Sequence, residues 1–169
     1  AVKEAVIKRA GHGVFGYTHV PDEYYDSVIR WFGRRHGFKI EKEWILYIPG
    51  IVPALSAIVK AMTVPGDKVI IQTPVYNCFF SSIRNNGCEI LSNPLVYKDN
   101  TYSIDFDDLE RKAADHTAKV MILCNPHNPA GRVWTREELS RIGDICLRNN
   151  VFVLADEIHC ELTYPGRDY

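Results

Sequence analysis

Apolar positions along the chain recur at two spacings, and the spacing changes from segment to segment. Tyr25, Val28, Ile29 and Phe32 fall on one face of a helix opened by Pro21-Asp22 and ended by Gly37. Leu55, Ile58, Val59 and Met62 repeat at i, i+3, i+4, i+7 behind Pro53. A proline suits a helix start because its missing N–H costs nothing there. Val69-Ile70-Ile71, Cys88 to Leu91, Lys119 to Cys124 and Val151 to Ala155 are short apolar runs, as expected of buried strands. Ile45-Leu46-Tyr47-Ile48 has the same character and is expected to form a strand stopped by Pro49-Gly50. Tyr76 to Asn86, with Gly87 as its stop, and Asp105 to Ala114 are expected to be helical. Thr135-Arg136-Glu137-Glu138 is a capping box, in which hydroxyl and carboxylate satisfy helix N–H groups reciprocally. Its helix should run through Leu139, Ile142 and Cys146 to about Asn149. Strands alternating with amphipathic helices predict an α/β fold, a mostly parallel sheet with helices on both faces.

Composition narrows the function classes. The 169 residues are 46% hydrophobic and 24% charged, a globular balance that excludes a disordered chain. The length suggests one domain. Lys+Arg 20 against Asp+Glu 21 leaves no basic excess for nucleic acid. No apolar run approaches the ~20 residues that span a bilayer, so no membrane partner is expected. The start, Ala1-Val2-Lys3-Glu4-Ala5, lacks an initiator Met and the apolar core of a signal peptide, and reads as structure. Five cysteines without a CxxC pair argue against a disulfide framework or zinc site and suit a reducing, cytoplasmic compartment. Arg30, Arg34, Arg35 and His36 share one predicted helix and read as a solvated face.

In parallel sheets, ligands bind beyond the carboxyl ends of the strands. After Ile48, Pro49-Gly50-Ile51-Val52-Pro53-Ala54 feeds a helix whose first N–H groups suit a phosphate, or forms an ordinary turn. No GxxxxGK[ST] nucleotide loop exists in the chain. After Ile71, Gln72-Thr73-Pro74-Val75-Tyr76 offers a tyrosine that could stack on a flat heteroaromatic ring or serve as a rim residue. After Cys124, Asn125-Pro126-His127-Asn128-Pro129-Ala130-Gly131 is a rigid non-helical loop and the most specific signal present. His127 invites a metal reading, but no second ligand lies at metal spacing. After Ala155 comes Asp156-Glu157-Ile158-His159, and a carboxylate ending a buried strand is costly unless paired. Asp156 could be a solvated strand end, the metal-binding acid of an ATPase, or a partner for a cationic ring nitrogen. The missing phosphate loop argues against the ATPase.

Taken in order, these stretches, with Gly13-Val14-Phe15-Gly16-Tyr17-Thr18 before them and Arg132-Val133-Trp134 within them, resemble the fold-type-I pyridoxal-phosphate (PLP) enzymes. The closest likeness is to the cystathionine β-lyase branch of the class I/II aminotransferase-like proteins, along essentially the whole chain. The resemblance implies cofactor contacts by residue. Ile51 and Val52 N–H groups would hold the phosphate, and Tyr76 would stack on the ring. Asn128 would bond the phenolic oxygen with Asn125 nearby, and Asp156 would pair with the pyridine nitrogen. His159 stands where many relatives carry a tyrosine near that oxygen. Tyr17 would reach the phosphate of a neighbouring subunit, implying a homodimer with shared active sites. The implied substrate is an amino acid, and loss of sulfur from its β-carbon would convert L-cystathionine to homocysteine, pyruvate and ammonia.

The family's Schiff-base lysine and substrate-carboxylate arginine match nothing in these residues, so no catalytic residue is assigned. The chain is expected to be the central part, residues 1–169, of a PLP-binding large domain without its C-terminal small domain, and to be inactive alone. A class I/II aminotransferase is the alternative activity. A non-catalytic regulator or binding module with an aminotransferase-like domain is the alternative class. A Rossmann nucleotide binder lacks its GxGxxG.

Overall fold

The computed structural model describes residues 1–17 and 19–166. They form two compact units, residues 1–47 and 48–169. The first unit holds α1 (Val2–Ala10), α2 (Asp22–His36) and a 3₁₀ turn over Lys42–Trp44. In α2 the charges follow the helix dipole, with Asp22 and Glu23 in the first turn and Arg34, Arg35 and His36 in the last. Three of the four basic-cluster residues, Arg34, Arg35 and His36, thus sit at the helix end that favours positive charge. Gly37 closes α2 at φ 64, a left-handed conformation that glycine adopts without strain.

The expected strand at residues 45–48 does not form. These residues follow the 3₁₀ turn without regular structure, and no described strand pairs with them. Leu46 is 84% exposed, so the apolar run here has no sheet to join.

The second unit carries the α/β architecture. Its helices are α3 (Ile51–Met62), α4 (Cys78–Arg84), α5 (Phe106–Ala113) and α6 (Arg136–Arg148). Its strands are β1 (Lys68–Ile71), β2 (Glu89–Ser92), β3 (Val96–Lys98), β4 (Thr101–Ser103), β5 (Ala118–Cys124) and β6 (Phe152–Asp156). Four strands form one parallel sheet in the order β2-β1-β5-β6. An antiparallel hairpin, β3-β4, stands apart, turning at Asp99 and Asn100 with φ 51 and 58.

Strand alternation splits the core into two layers. Val69, Ile71, Val120, Ile122 and Cys124 face one side and pack on Leu55 and Val59 of α3 and Phe79 and Ile83 of α4. Ile70, Met121 and Leu123 face the other and pack on Leu109 of α5 and Ile142, Ile145 and Cys146 of α6. Helices therefore lie on both faces of the sheet, as the sequence pattern predicts, and bury its central strands β1 and β5. Both halves of the Thr135–Glu138 capping box form, at 3.1 and 2.8 Å. Helix α4 is shorter than the 76–86 expectation, because Tyr76 and Asn77 belong to the approach from β1.

Candidate functional site

Parallel strands deliver their ends to one edge of the sheet, and four chain segments lie on that side. The first is the start of α3. Its last residue is joined to β1 by a short turn, so the helix runs antiparallel to the strands. Twelve residues span about 18 Å, which carries Ile51 and Val52 back to the strand-end side. Gly50 precedes them at φ 129 and supplies no side-chain cap. Ile51 and Val52 are the first two helical residues, whose N–H groups have no intrahelical acceptor, and Pro53 has none to offer.

The second segment follows β1. Gln72 is buried, and its Nε2 donates to Asn93 Oδ1 at 3.3 Å. Thr73 Oγ1 and Ser92 Oγ share a hydrogen bond of 2.7 Å across β1 and β2. Tyr76 is half-exposed, its ring edge-on to Phe79 with centroids 6.2 Å apart.

The third is the Asn-Pro-His-Asn-Pro loop after β5, with cis peptides at Asn125-Pro126 and Asn128-Pro129. Asn125 is buried, and its Oδ1 accepts from the Trp134 N–H at 3.0 Å. Trp134 in turn donates from Nε1 to the Cys124 carbonyl at 3.2 Å. Arg132 holds both Glu138 oxygens, at 3.1 and 3.2 Å, and lies over the Trp134 ring. It also donates to the Tyr102 carbonyl. Asn128 is half-buried, its N–H on Cys124 Sγ at 3.4 Å. With His159 it lines a cavity of about 810 Å³ that extends to Thr101 and Tyr164.

The fourth is the end of β6. Asp156 pairs in register with Cys124, and its carbonyl accepts from the Asn125 N–H at 3.1 Å. Its carboxylate is buried and accepts from the Ile158 N–H at 3.2 Å. Burial pushes this carboxyl above the ordinary carboxylate range, and the Ile158 N–H and then nearby His159 pull it partly back. The Asp156 charge in turn raises the Tyr76 phenol and the Cys124 thiol, each a lesser contribution there: contact with Cys78 dominates at Tyr76 and burial at Cys124. Asp156, Tyr76, Asn125 and His159 are thus neighbours.

Of the residues singled out from sequence, Ile51, Val52, Tyr76, Asn125, Asn128, Asp156 and His159 lie in the second unit at this sheet edge. Tyr17 belongs to the first unit, where its side chain is fully exposed, and Thr18 lies outside the described residues. Sequence reasoning did not find the part played by His127. It is buried among the core residues, with Nε2 3.2 Å from the Gln72 carbonyl oxygen. That partner is 55 residues away, a contact no local pattern reveals.

The fold and the sequence are shared with known proteins. Cystathionine beta-lyase PatB of Bacillus subtilis is 47% identical over the whole chain, which spans 44% of that protein. Protein MalY of Escherichia coli is 33% identical over 95% of the chain and 42% of its own length. The crystal structure of cystalysin from Treponema denticola, which contains a pyridoxal 5'-phosphate cofactor, superposes with a TM-score of 0.92 at 41% identity. It covers 99% of this chain and 43% of its own. The PLP-bound C-S lyase from Staphylococcus hominis gives the same TM-score at 36% identity, over 99% of this chain and 43% of its own. The chain spans less than half the length of these relatives. The family model for class I and II aminotransferases matches residues 1–169 throughout, and the chain belongs to that family.

Proposed function

We propose that this chain holds pyridoxal 5'-phosphate and that the full-length protein cleaves the carbon–sulfur bond of cystathionine-like amino acids. The observation that carries the reading is Asp156, a carboxylate buried at a strand end, where a cationic partner would offset its desolvation. The residues present fit the cofactor's three chemical parts. An uncapped helix start with glycine before it suits a phosphate. A half-exposed tyrosine beside Asp156 suits a flat ring. Asp156 itself suits a protonated ring nitrogen.

When bound, the cofactor supplies a cationic ring that draws electrons from the substrate's α-carbon. The chain's own residues would bind and orient it. Ile51 and Val52 N–H groups would donate to the phosphate oxygens. Tyr76 would stack on the ring. Asn128 would donate its amide to the phenolic oxygen, with Asn125 holding the loop and His159 nearby. Asp156 would keep the ring nitrogen protonated. Tyr17 would reach the phosphate of a second subunit in a homodimer with shared sites. The substrate is an amino acid, and the compartment is the cytoplasm. No described helix is long and apolar enough to cross a membrane. No residue of this chain is assigned to proton transfer at the α-carbon.

The lyase reading is supported by the 47% identity to a cystathionine beta-lyase. A transaminase reading has its own support: kynurenine–oxoglutarate transaminase 3 of mouse is 33% identical over 135 residues. The two are separated by supplying the full-length, PLP-loaded protein with L-cystathionine, then with amino acids and a 2-oxo acid. Release of pyruvate and a thiol in equal amounts is expected. Amino-group exchange without pyruvate release would replace the lyase by the aminotransferase. Neither, with no cofactor uptake, would leave a non-catalytic binding module.

A further inference from the structure

Gln72, Asn93 and His127 are buried in a row, each no more than 2% exposed, and the proposed cofactor contacts use none of their side chains. His127 is the informative one. Its Nε2 faces the carbonyl oxygen of Gln72 at 3.2 Å. A carbonyl only accepts, so Nε2 carries the proton. Burial disfavours a second proton on the ring, so Nδ1 is a bare acceptor, and it is buried without a partner. One hydrogen bond made and one acceptor orphaned leave little net stabilisation. What the ring supplies is position.

The backbone of the same residue closes the loop. His127 N–H donates to the Arg132 carbonyl at 2.7 Å, and its own carbonyl accepts from Gly131 N–H at 2.8 Å. The loop is tied to β5 through Asn128 N–H on Cys124 Sγ. It is tied to β6 through Asn125 N–H on the Asp156 carbonyl. The His127 ring ties it to Gln72, the residue that follows β1. Gln72 directly precedes Thr73-Pro74-Val75-Tyr76, so this one bond joins the segment bearing Asn128 to the segment bearing Tyr76. The accepting side is held in turn. Gln72 donates to Asn93, and Asn93 Nδ2 donates to Asp108 Oδ2 at 2.8 Å and the Asp105 carbonyl at 3.0 Å, at the start of α5.

We propose that His127 is a positioning residue whose Nε2–H bond to Gln72 fixes the Asn128 amide relative to the Tyr76 ring and thereby sets cofactor affinity. The inference rests on the PLP-binding reading above.

The test uses the full-length protein, titrated with pyridoxal 5'-phosphate by absorbance. His127→Leu removes the donor. His127→Gln places an amide N–H at a similar reach. Residues that orient the ligands of a bound metal typically cost about 10–100-fold when removed, and the same scale is expected for a residue that orients a cofactor contact. His127→Leu should therefore raise the cofactor Kd at least about tenfold and shift the pH dependence of the bound cofactor's visible band. His127→Gln should recover Kd to within about threefold of the unaltered protein. The cofactor-free thermal midpoint should fall modestly in His127→Leu, which leaves the buried Gln72 carbonyl without its donor and removes the ring from Trp134, and less in His127→Gln. A merely structural histidine would lower the midpoint and leave Kd and the band unchanged. The proposal is overturned if His127→Leu binds within about twofold of the unaltered protein, or if both variants lose affinity equally. Unaltered protein that takes up no cofactor would overturn the functional reading itself, and this inference with it. Should His127→Leu not fold, the ring's tautomer in the unaltered protein decides. A slowly exchanging proton on Nε2, seen by nitrogen NMR of labelled histidine, is the expected result. A proton on Nδ1 overturns the proposal.

Discussion

Replacing Asp156 by Asn removes one charge and keeps the shape, and the structure gives the sign of two opposite effects. The carboxylate is 6% exposed and ends β6. Its pKa in the folded chain is raised, chiefly by burial. Between the ordinary carboxylate value of 3.8 and the raised one, the folded state binds a proton that the unfolded state has released. Stability without cofactor therefore falls as pH rises through that window, and above it the cost of the buried charge is constant. Asparagine avoids that cost and keeps an oxygen for the Ile158 N–H, now 3.2 Å from Oδ1. At neutral pH, Asp156→Asn should stabilise the cofactor-free protein by about 0.5–2 kcal/mol, the usual range for a single stabilising substitution. The gain should vanish below the ordinary carboxylate pKa. Cofactor binding should move the other way. Losing one partner of a buried charge pair costs about 2–5 kcal/mol, which is ~30-fold to several-thousand-fold in Kd. Urea denaturation of the cofactor-free protein across pH, beside a titration with pyridoxal 5'-phosphate, measures both. A variant less stable at neutral pH, or one that binds the cofactor as tightly as before, would refute the reasoning.

Three further outcomes follow from single residues. Gly50→Ala forces a side chain onto φ 129 and should destabilise by about 1–3 kcal/mol, with weaker phosphate binding. Unchanged denaturation and unchanged cofactor Kd would contradict the role given to the start of α3. Thr135→Ala removes the hydroxyl that accepts from the Glu138 N–H at 3.1 Å and should cost about 0.5–2 kcal/mol by thermal unfolding, without altering cofactor affinity. Tyr76→Ala should weaken cofactor binding by about 0.5–1.5 kcal/mol, or ~2- to 12-fold, while Tyr76→Phe keeps the stack. Equal losses in both would assign the contribution to the hydroxyl instead.

Much of this architecture can be read from local chemistry. Gly37 and Thr135 mark helix ends by what their own backbone or hydroxyl does. The runs ending at Ile71 and Cys124 form strands buried on both faces, so no alternation is needed; the run ending at Asp156 is only partly covered and pairs on β5. Residues 45–48 have the same apolar character and stay irregular, since a strand needs a neighbour and an apolar run does not specify one. The hairpin at Val96–Ser103 escapes pattern reading for a different reason. Its turn residues Asp99 and Asn100 adopt positive φ without a glycine to announce it. At the site, residue types at strand ends give the candidates, but His127 reaches its meaning only through Gln72, brought to it by the pairing of β1 with β5.

The most direct measurement is a crystal structure of the full-length protein with pyridoxal 5'-phosphate bound. The account predicts the ring nitrogen within about 3 Å of the Asp156 carboxylate, the phosphate on the Ile51 and Val52 N–H groups, and the ring against Tyr76. A cofactor bound elsewhere, or with its ring nitrogen turned away from Asp156, would contradict it.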